Sequence, residues 1–552
     1  MSTRRNSSRS FLPATESLET RKLLSSTTLR GNDAEGNSWV LKLEGPGALR
    51  VTKQLDASGN EQTLASASDI NQITIAGANP LTTRLVGQVK RGPTGTGKVF
   101  FQGMNELGGR SEGPAGTNGI YAIDIPNFWL GKTSTAAATS TTEPTISLPD
   151  GVVTLRFGGV DTTFTPAGGT ALNTNSQNDT FNVNLGLPKT QGTSIIVHQV
   201  ISNGQAGTTS STGAAGTPTQ DSVVFNVEGR LNQFQADAIV GNTAFPTTGF
   251  RGGGGTLVVS QSDPATGITG QIGFVRVGGN ATNFSVQTND KISNYYVGGE
   301  ANNVQILAPN GSRAIEFGKG MDTATIRTHY IDSLQANRGA LNSRVTVDRN
   351  VGRLTFGGDV VNTEFLSGVQ QGLGTIFQNQ TAPATAPSAQ DGGALTNVLI
   401  AGNVMNSTFT ASVEPLNGVY GTSDLKLPHG HIEAKVGGTI DNSTATPDSP
   451  DTAFFAKSVT LDRGPVIPPV VPELPFGNQG APPSGKRIVP GLQPTDNLPT
   501  NLVAVPAPKK TGSTGTGKKT GSTTTVKTPG TKTGTTTAKA AHAPQGPLKK
   551  KY

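Results

Sequence analysis

The stretch Ile272–Val286, IGFVRVGGNATNFSV, is followed twenty residues later by Ile292–Ile306, ISNYYVGGEANNVQI. Each begins with a short apolar alternation, turns at paired glycines, and reaches an asparagine before a second apolar run. Related stretches begin at Ile315, Ile331, Val351, Leu395 and His431. The shared pattern begins with an apolar residue, four variable residues and a second apolar residue. Two glycines, three variable residues and an asparagine followed by Ser or Thr complete it. We conclude that 270–445 repeats one structural unit.

The period of this repeat is set by glycines at its first turn. They are Gly278, Gly298, Gly318, Gly339 and Gly357, with Gly402 and Gly437 in later repeats. The intervals between the first five, counted in sequence positions, are 20, 20, 21 and 18. A regular period near 20 with two short strands per repeat predicts an all-β solenoid, a parallel β-helix with one coil per repeat. At about 4.8 Å per coil, about nine coils in 270–445 would span roughly 40–45 Å.

The two turns of each repeat suggest different backbone requirements. Glycine at the first turn would permit a positive φ, which a Cβ disfavours. Asparagine at the second turn tolerates the left-handed conformation and bonds its own backbone. The asparagines expected at this second corner, stacked as a ladder, are Asn303, Asn362, Asn406 and Asn442.

Composition agrees with a chain of short strands and tight turns. The 552 residues include 72 glycines, and charged residues make up only 15%. Cysteine is absent, which excludes disulfides, thiolate metal sites and a cysteine nucleophile. No apolar run approaches the length of about 18 residues that a membrane span requires.

The sequence divides into five segments. Residues 1–35 are expected to be disordered, and 36–262 are β-rich with Gly/Thr/Ser loops, either the start of the solenoid or a separate β-domain. Residues 263–463 hold the solenoid repeats. Residues 464–508 are Pro-rich and predict an extended linker.

The last segment, 509–552, is a basic low-complexity tail that cannot bury enough apolar surface to become ordered. From Asn497 to Tyr552 there are ten lysines and no acid, which leaves 34 basic and 37 acidic residues, a net charge of −3, in the rest of the chain. The lysines are Lys509, Lys510, Lys518, Lys519, Lys527, Lys532, Lys539, Lys549, Lys550 and Lys551.

Such a tail attracts polyanions and releases their counterions. The expected partner is an anionic polysaccharide or another anionic polymer of the cell envelope. Nucleic acid is the less favoured partner because the tail lacks interleaved aromatic residues on which bases would stack.

Near the N-terminus the chain reads LETRKLLS, residues 18–25. This stretch resembles the LEPR-XLL motif, with Thr20 where that family has proline; the matching residues are Leu18, Glu19, Arg21, Leu23 and Leu24. The motif is found near the N-termini of many large exported or surface proteins of planctomycete-type bacteria, where it is regarded as a sorting element. The resemblance implies an extracellular or cell-surface location and carries no implication of catalysis.

One string resembles a phosphate-binding loop. Gly92–Lys98 reads GPTGTGK, but Val99 stands where a magnesium-binding Ser or Thr would be needed, and the run after it favours a strand over a helix. The low-complexity tail contains a similar string, GSTGTGK, at 512–518. We therefore interpret 92–98 as a Gly-rich turn that enters a strand, and we expect no cofactor.

Acids and histidines are the remaining candidates for a catalytic or metal-binding site. Carbohydrate-active β-helix enzymes use clustered carboxylates on neighbouring coils; the candidates are Asp322, Asp332, Asp348 with Arg349, and Asp359. They are sparse and do not fall into one constellation. His429 and His431, with Glu433, could share one face of a strand around a metal, although a solvated pair on a turn is the favoured interpretation.

These observations favour a non-enzymatic, secreted or cell-surface structural protein, an adhesin-like β-solenoid whose tail adheres to an anionic envelope or matrix polymer. Two alternatives stay open at this point. One is a β-helix lyase or hydrolase acting on polysaccharide, and the other is a nucleic-acid-binding protein that uses the basic tail.

Overall fold

The computed structural model describes thirteen stretches of the chain between residues 26 and 466. They are 26–54, 60–107, 119–133, 143–164, 180–186, 192–202, 222–241, 254–260, 269–370, 388–389, 392–414, 424–441 and 453–466. The motif residues 18–24, the lysine-rich tail and Asn442 lie outside these stretches, as does the Pro-rich segment beyond Val466. Within the stretches no helix has the length and hydrophobicity needed to span a bilayer.

The first five strands form an antiparallel opening to the fold. They are β1 (Thr27–Asn32), β2 (Ser38–Glu44), β3 (Ala48–Lys53), β4 (Ile70–Ala76) and β5 (Arg84–Lys90). β2 pairs with β1 and β5, and β3 pairs with β4, all antiparallel. From β4 and β5 onward every further pairing in this sheet is parallel, so these strands set the end on which the coils stack.

The next nine strands build coils with two long faces. They are β6 (Val99–Leu107), β7 (Ile120–Leu130), β8 (Thr145–Leu148), β9 (Val152–Asp161), β10 (Thr180–Leu185), β11 (Thr193–Ile201), β12 (Ser222–Glu228), β13 (Leu231–Val240) and β14 (Gly255–Ser260). β7, β9, β11 and β13 pair in sequence along one face. Strands β6, β8, β10, β12 and β14 pair along another. The described strands of 36–262 therefore join the same sheet as the later repeats.

The regular coils that follow have three strands each. They are β15 (Ile272–Val277), β16 (Ala281–Thr282), β17 (Phe284–Thr288), β18 (Ile292–Val297), β19 (Ala301–Asn302), β20 (Gln305–Ala308), β21 (Ser312–Phe317), β22 (Gly320–Asp322), β23 (Thr325–Thr328), β24 (Ile331–Ala336), β25 (Gly339–Leu341), β26 (Arg344–Val347), β27 (Val351–Phe356), β28 (Val360–Val361) and β29 (Glu364–Ser367). We call the three positions the first, second and third faces. The first corner joins the first and second faces, and the second corner joins the second and third.

The last coils carry additional short strands. Their strands are β30 (Val369–Gln370), β31 (Ser388–Ala389), β32 (Ala394–Ile400), β33 (Val404–Met405), β34 (Thr408–Ala411), β35 (Val413–Glu414), β36 (Leu425–Lys426), β37 (His431–Val436), β38 (Ile440–Asp441), β39 (Phe454–Phe455) and β40 (Ser458–Arg463). β30–β31 and β35–β36 are separate antiparallel pairs. The others extend the three faces in register, which confirms the predicted parallel β-solenoid.

One continuous apolar core runs along the coil axis. Inward residues of equivalent strands stack directly on one another, as Val275, Tyr295, Ile315 and Leu334 do on the first face. The core extends from Trp39 to Ala456. On the third face of the last coils, three phenylalanine rings stack with centroids 4.8 Å apart; they are Phe365, Phe409 and Phe454. Burial of these columns supplies the main driving force for the stack.

The first coils of the repeat region are more regular in length than the intervals between the predicted corner glycines. The region 270–445 also holds fewer coils than the predicted nine. First-face register pairs Ile272, Ile292, Ser312, Ile331 and Val351 in succession, so these coils differ in length by at most one residue. The next two coils are much longer, because Val351 pairs with Leu395 and Leu395 pairs with Ile432. The first-face strands within 270–445 are β15, β18, β21, β24, β27, β32 and β37. The prediction of about nine coils was wrong because it assumed the same short period throughout.

The first-corner glycines also need correction. Gly278, Gly298, Gly318, Gly357 and Gly437 hold equivalent positions, each donating its backbone N–H to the preceding coil. Asn337 fills that position in the coil to which we had assigned Gly339, which lies two residues further on. Gly402 lies one residue further on than its equivalent, Ala401.

The predicted reason for these glycines was wrong as well. Of the seven predicted first-corner glycines, Gly339 alone has a positive φ, 107°. Close stacking explains several of the others: a Cβ on Gly298 or Gly357 would collide with a carbonyl oxygen of the coil before it, and one on Gly437 would lie 2.6 Å from the oxygen of Ala401. Because Asn337 and Ala401 hold the equivalent position in two coils, the space at this corner differs from coil to coil.

At the second corner the left-handed prediction is confirmed for Asn303, Asn362 and Asn406, with φ of 52°, 49° and 47°. Asn283 and Asn342 share the conformation. Two pieces of the predicted side-chain ladder are seen among the described residues. Asn303 Nδ2 donates to Asn283 Oδ1 at 2.7 Å, and Asn362 Nδ2 donates to Asn342 Oδ1 at 3.2 Å. Thr323, φ 55°, stands between the two pieces.

The Ser or Thr that follows the corner asparagines Asn342, Asn362 and Asn406 has a structural role of its own. The Thr363 hydroxyl accepts the backbone N–H of Ser343 and donates to the carbonyl of Val361 at 2.8 Å. The Ser407 hydroxyl repeats the arrangement one coil later, accepting from Thr363 at 3.1 Å. Each hydroxyl satisfies buried backbone groups where the strands turn. The Asn-Ser/Thr pair of the repeat is therefore one unit, with Asn making the turn and the hydroxyl bonding the coils together.

Candidate functional site

The loop that resembles a phosphate-binding loop is filled by the protein itself. The Asn37 side-chain oxygen accepts the N–H groups of Gly92 and Gly97, both at 3.2 Å. The Glu35 carboxylate accepts the N–H of Thr96 at 3.1 Å and its hydroxyl at 2.6 Å. The donors that would surround a phosphate are thus directed at an amide and a carboxylate of the neighbouring turn.

The lysine of this loop is engaged as well. Lys98 Nζ lies 3.8 Å from the ring centroid of Trp129, a cation–π contact. The chain then enters strand β6 at Val99. The interpretation of 92–98 as a Gly-rich turn entering a strand is confirmed.

The candidate acids lie at four different places on the coil. Asp322 ends a second-face strand and accepts a hydrogen bond from the Thr323 hydroxyl at 2.9 Å. Asp332 is exposed near the start of first-face strand β24. Asp359 sits at a first corner, where its Oδ1 accepts the backbone N–H of Asn403 at 2.7 Å. Asp322 and Asp359 thus stabilise corners of the coil.

Asp348 follows a third-face strand, and its Oδ2 lies 3.4 Å from His329 Nδ1. Burial raises the pKa of Asp348, and the hydrogen bond and charge of His329 oppose that rise. Arg349, the neighbour with which we had grouped it, donates its backbone N–H to the carbonyl of His329. The pair binds one coil to the next.

The other histidines lie at separate places on the coil. His431 and Glu433 are both on outward positions of β37, and His429 lies in the turn before that strand. In the parts of the chain that the structure describes, no group of three or more His, Asp or Glu side chains could hold a metal ion. His198 Nδ1 lies 3.0 Å from Asp237 Oδ2 on the first face, and both side chains are about half exposed.

The sequence patterns did not reveal a buried charged cluster in the antiparallel opening strands. Lys53, Asp33 and Asp69 are each at most 2% exposed. Lys53 Nζ donates to the carbonyls of Asn32, Ser66 and Ser68. Burial lowers the pKa of Lys53 to about 8, against the opposing charges of Asp69 and Asp33. Burial likewise raises the pKa of Asp69 to about 7.

These groups have a structural use that accounts for their positions. The Lys53 ammonium joins carbonyls of β1 and of the segment before β4, and the Asp33 carboxylate accepts from Asn37 at 2.7 Å through both of its oxygens. A buried lysine remains tolerable when its protons meet acceptors in this way. The cluster holds the opening strands together where coil stacking begins.

Glu106 is a second buried charge that the sequence patterns did not reveal. It occupies an inward position on the third face, in the column formed by Ile75, Glu106, Leu148, Leu185, Val227 and Val259. Its side chain is 5% exposed. Burial raises the pKa of Glu106 to about 7, and the nearby charge of Asp150 adds to the rise. Inward alternation along β6, through Met104, would have identified this carboxyl as a group inside the core.

The predicted sorting residues and the predicted polyanion-binding lysines lie outside the described residues. The described coils show corner and face side chains that bond one coil to the next.

Comparison with known proteins adds no relative: no family model, no curated protein and no solved structure matches this chain.

Proposed function

We propose that this chain is a non-enzymatic structural protein of the extracellular space or cell surface, in which the β-solenoid serves as a rigid rod and the basic tail adheres to an anionic polymer. The observation that carries the proposal is the use of polar side chains along the coil axis. In the coils that the structure describes, corner asparagines, hydroxyls and the carboxylate of Asp359 bond to the adjacent coil.

The dimensions suit a rod. In the part of the chain that the structure describes, twelve parallel strands stack along the first face, namely β7, β9, β11, β13, β15, β18, β21, β24, β27, β32, β37 and β40. At about 4.8 Å per step the stack is roughly 50 Å long. Its backbone hydrogen bonds and its core are continuous over that length, and such an arrangement resists local opening.

The attachment function rests on the tail sequence. Ten lysines without an acid after Asn497 give a dense positive charge that neutralises a polyanion without requiring a fold. The LEPR-XLL-like residues Leu18–Leu24 support export as the route by which the chain would meet such a polymer.

The location is tested by fractionating the native cells and treating intact cells with protease. Shaving from the surface, or recovery from the medium, is the expected outcome. Retention with the cytoplasm or the nucleoid would contradict the surface location and would make nucleic acid the tail's partner.

The adhesion is tested with the full chain and a variant in which all ten tail lysines become glutamine. Adsorption to an anionic polysaccharide, with heparin as the probe, should fall at least tenfold in the variant, and salt should weaken the wild type because counterion release drives binding. Salt-insensitive adsorption by the variant would contradict the tail's role. Binding to DNA at much lower concentration than to heparin would favour nucleic-acid recognition, and depolymerisation of the polysaccharide would replace the proposal by an enzyme.

A further inference from the structure

The C-terminal end of the coil has an uncovered strand. β40 pairs with β37 on one side, and all six of its residues are exposed. Val459 and Leu461 stack on the core residues Ile432 and Ala434, yet they are 41% and 39% exposed. An exposed edge with apolar inward residues is a template for pairing with another chain, so proteins normally cover it.

The chain leaves β40 along the path of the earlier coils. Gly464 donates its N–H to the carbonyl of Val436 at 3.3 Å, as Gly437 does to Ile400 one coil before. Gly464 therefore makes a first corner. In each preceding coil the chain enters the second face after this corner, and Ile440 is the last inward residue described on that face.

Register predicts which residue would come next on that face. Val459 lies over Ile432 on the first face. The same offset in sequence position brings Ile467 over Ile440, continuing a column of inward residues on the second face. That column comprises Ala281, Ala301, Met321, Ala340, Val360, Val404 and Ile440. The sequence supplies an isoleucine at the position where the column requires an apolar side chain.

The composition after Gly464 fits the end of a coil. Residues 465–476 read PVIPPVVPELPF, with five prolines and one charged residue. On the second face each coil donates N–H groups to carbonyls of the next, as Val404 does to Thr439 and Asn406 does to Asp441. Proline keeps the carbonyl that accepts such a bond but has no N–H to offer a further strand.

We propose that residues 465–476 continue the coil and cover its open end as a C-terminal cap. The apolar residues shield the last core layer, and the prolines stop the ladder from passing to a second molecule. The first part of the Pro-rich segment then belongs to the folded rod, and a tether begins only after it. This inference is independent of the proposed function of the tail.

The test uses the absence of cysteine from the natural chain. Ile440→Cys and Ile467→Cys are introduced together in the full-length protein, which is then oxidised mildly. Registered residues of adjacent coils have Cα atoms about 4.8 Å apart, within the range that a disulfide spans. The positive control is Val404→Cys with Ile440→Cys, which pair in the structure. The negative control is Ile440→Cys with Val503→Cys.

We expect an intramolecular disulfide in the monomer. It should form as fast as in the positive control and at least about tenfold faster than in the negative control, because a capped geometry raises the effective concentration of the two thiols. Disulfide-linked dimers would show that a second copy covers the end and would overturn the proposal. A rate no greater than that of the negative control would overturn it as well.

A second measurement does not depend on cysteine at Ile440. In an Ile467→Glu variant, the backbone amides of β40 should exchange hydrogen at least about tenfold faster than in the wild type, with Val503→Glu as the matched control. Unchanged protection of β40 in the Ile467→Glu variant would contradict the cap.

Discussion

Replacing Glu106 by glutamine should stabilise the N-terminal coils at neutral and alkaline pH and have almost no effect in acid. The carboxyl lies in an otherwise apolar column, and burial raises its pKa from 4.5 to about 7. The unfolded chain releases this proton above about pH 4.5, whereas the folded chain keeps it until about pH 7. The folded state therefore binds more protons between these values, and stability falls as the pH rises through that window.

The magnitude follows from the two pKa values. Their difference is about 2.5 pH units, and each unit corresponds to about 1.36 kcal/mol, so the ionisable carboxyl costs on the order of 3 kcal/mol above pH 7. Glutamine resembles the protonated acid in shape and does not ionise. Its benefit should therefore be about 3 kcal/mol at pH 8 and close to zero at pH 4.

The assay is urea unfolding followed by tryptophan fluorescence. The chain has two tryptophans, Trp39 and Trp129, and both are buried. Trp129 packs against Phe100 of β6 and Trp39 lies in the opening strand β2, so their emission reports on the N-terminal part of the fold that contains Glu106. Glu433→Gln, at an exposed position of β37, is the matched control and should change nothing at either pH. Equal effects of Glu106→Gln at pH 4 and pH 8, or destabilisation at pH 8, would show that the folded chain holds the ionised carboxylate favourably and would refute the reasoning.

Four further substitutions, one of them a control, test the corners, each by thermal unfolding followed by circular dichroism. Thr323→Asn should raise the free energy of unfolding by about 1 kcal/mol, because it replaces a β-branched residue in the left-handed region and joins the two pieces of the asparagine ladder; a loss of stability would contradict this. Gly357→Ala should cost about 1–3 kcal/mol because its Cβ would meet a carbonyl of the preceding coil. Gly320→Ala, whose Cβ would be 3.6 Å from its nearest neighbour, should stay within about 0.5 kcal/mol of the wild type, and equal costs for the two would argue against close stacking. Thr363→Val should cost about 1–3 kcal/mol because it leaves a buried N–H without its acceptor, and a neutral result would show that water replaces the hydroxyl.

The fold could be predicted from the sequence because each coil repeats the same physical requirements. Inward apolar residues recur with a period of two, and the second corner needs a residue that tolerates a positive φ, so Asn303, Asn362 and Asn406 identify it. The first corner was harder to assign. Glycine is not obligatory there, because Asn337 and Ala401 hold the equivalent position in two coils, so the nearby Gly339 and Gly402 gave the wrong phase.

What the repeat pattern concealed are the departures from it. Glu106 and Lys53 are single charges at inward positions and belong to no motif. β3, which holds Lys53, alternates between exposed and buried residues, whereas β6, which holds Glu106, is buried along most of its length. The lengths of the last coils, in contrast, could be read from the sequence. The repeat starts at Val351, Leu395 and His431 match the first-face strands β27, β32 and β37, and the count of about nine coils was wrong because it divided the whole region by the short period.

The second corner differs from the rest of the coil in how much its length varies along the chain. A single asparagine turns it between β16 and β17, whereas much longer segments separate the strands at the same corner of the earlier coils. These segments are 131–144 between β7 and β8, 162–179 between β9 and β10, 202–221 between β11 and β12, and 241–254 between β13 and β14. The strands on either side keep their register across all these lengths. We therefore expect this edge to tolerate insertions and changes of length while the paired strands beneath it are preserved, so that its content can diversify, by evolution or by grafting, independently of the coil.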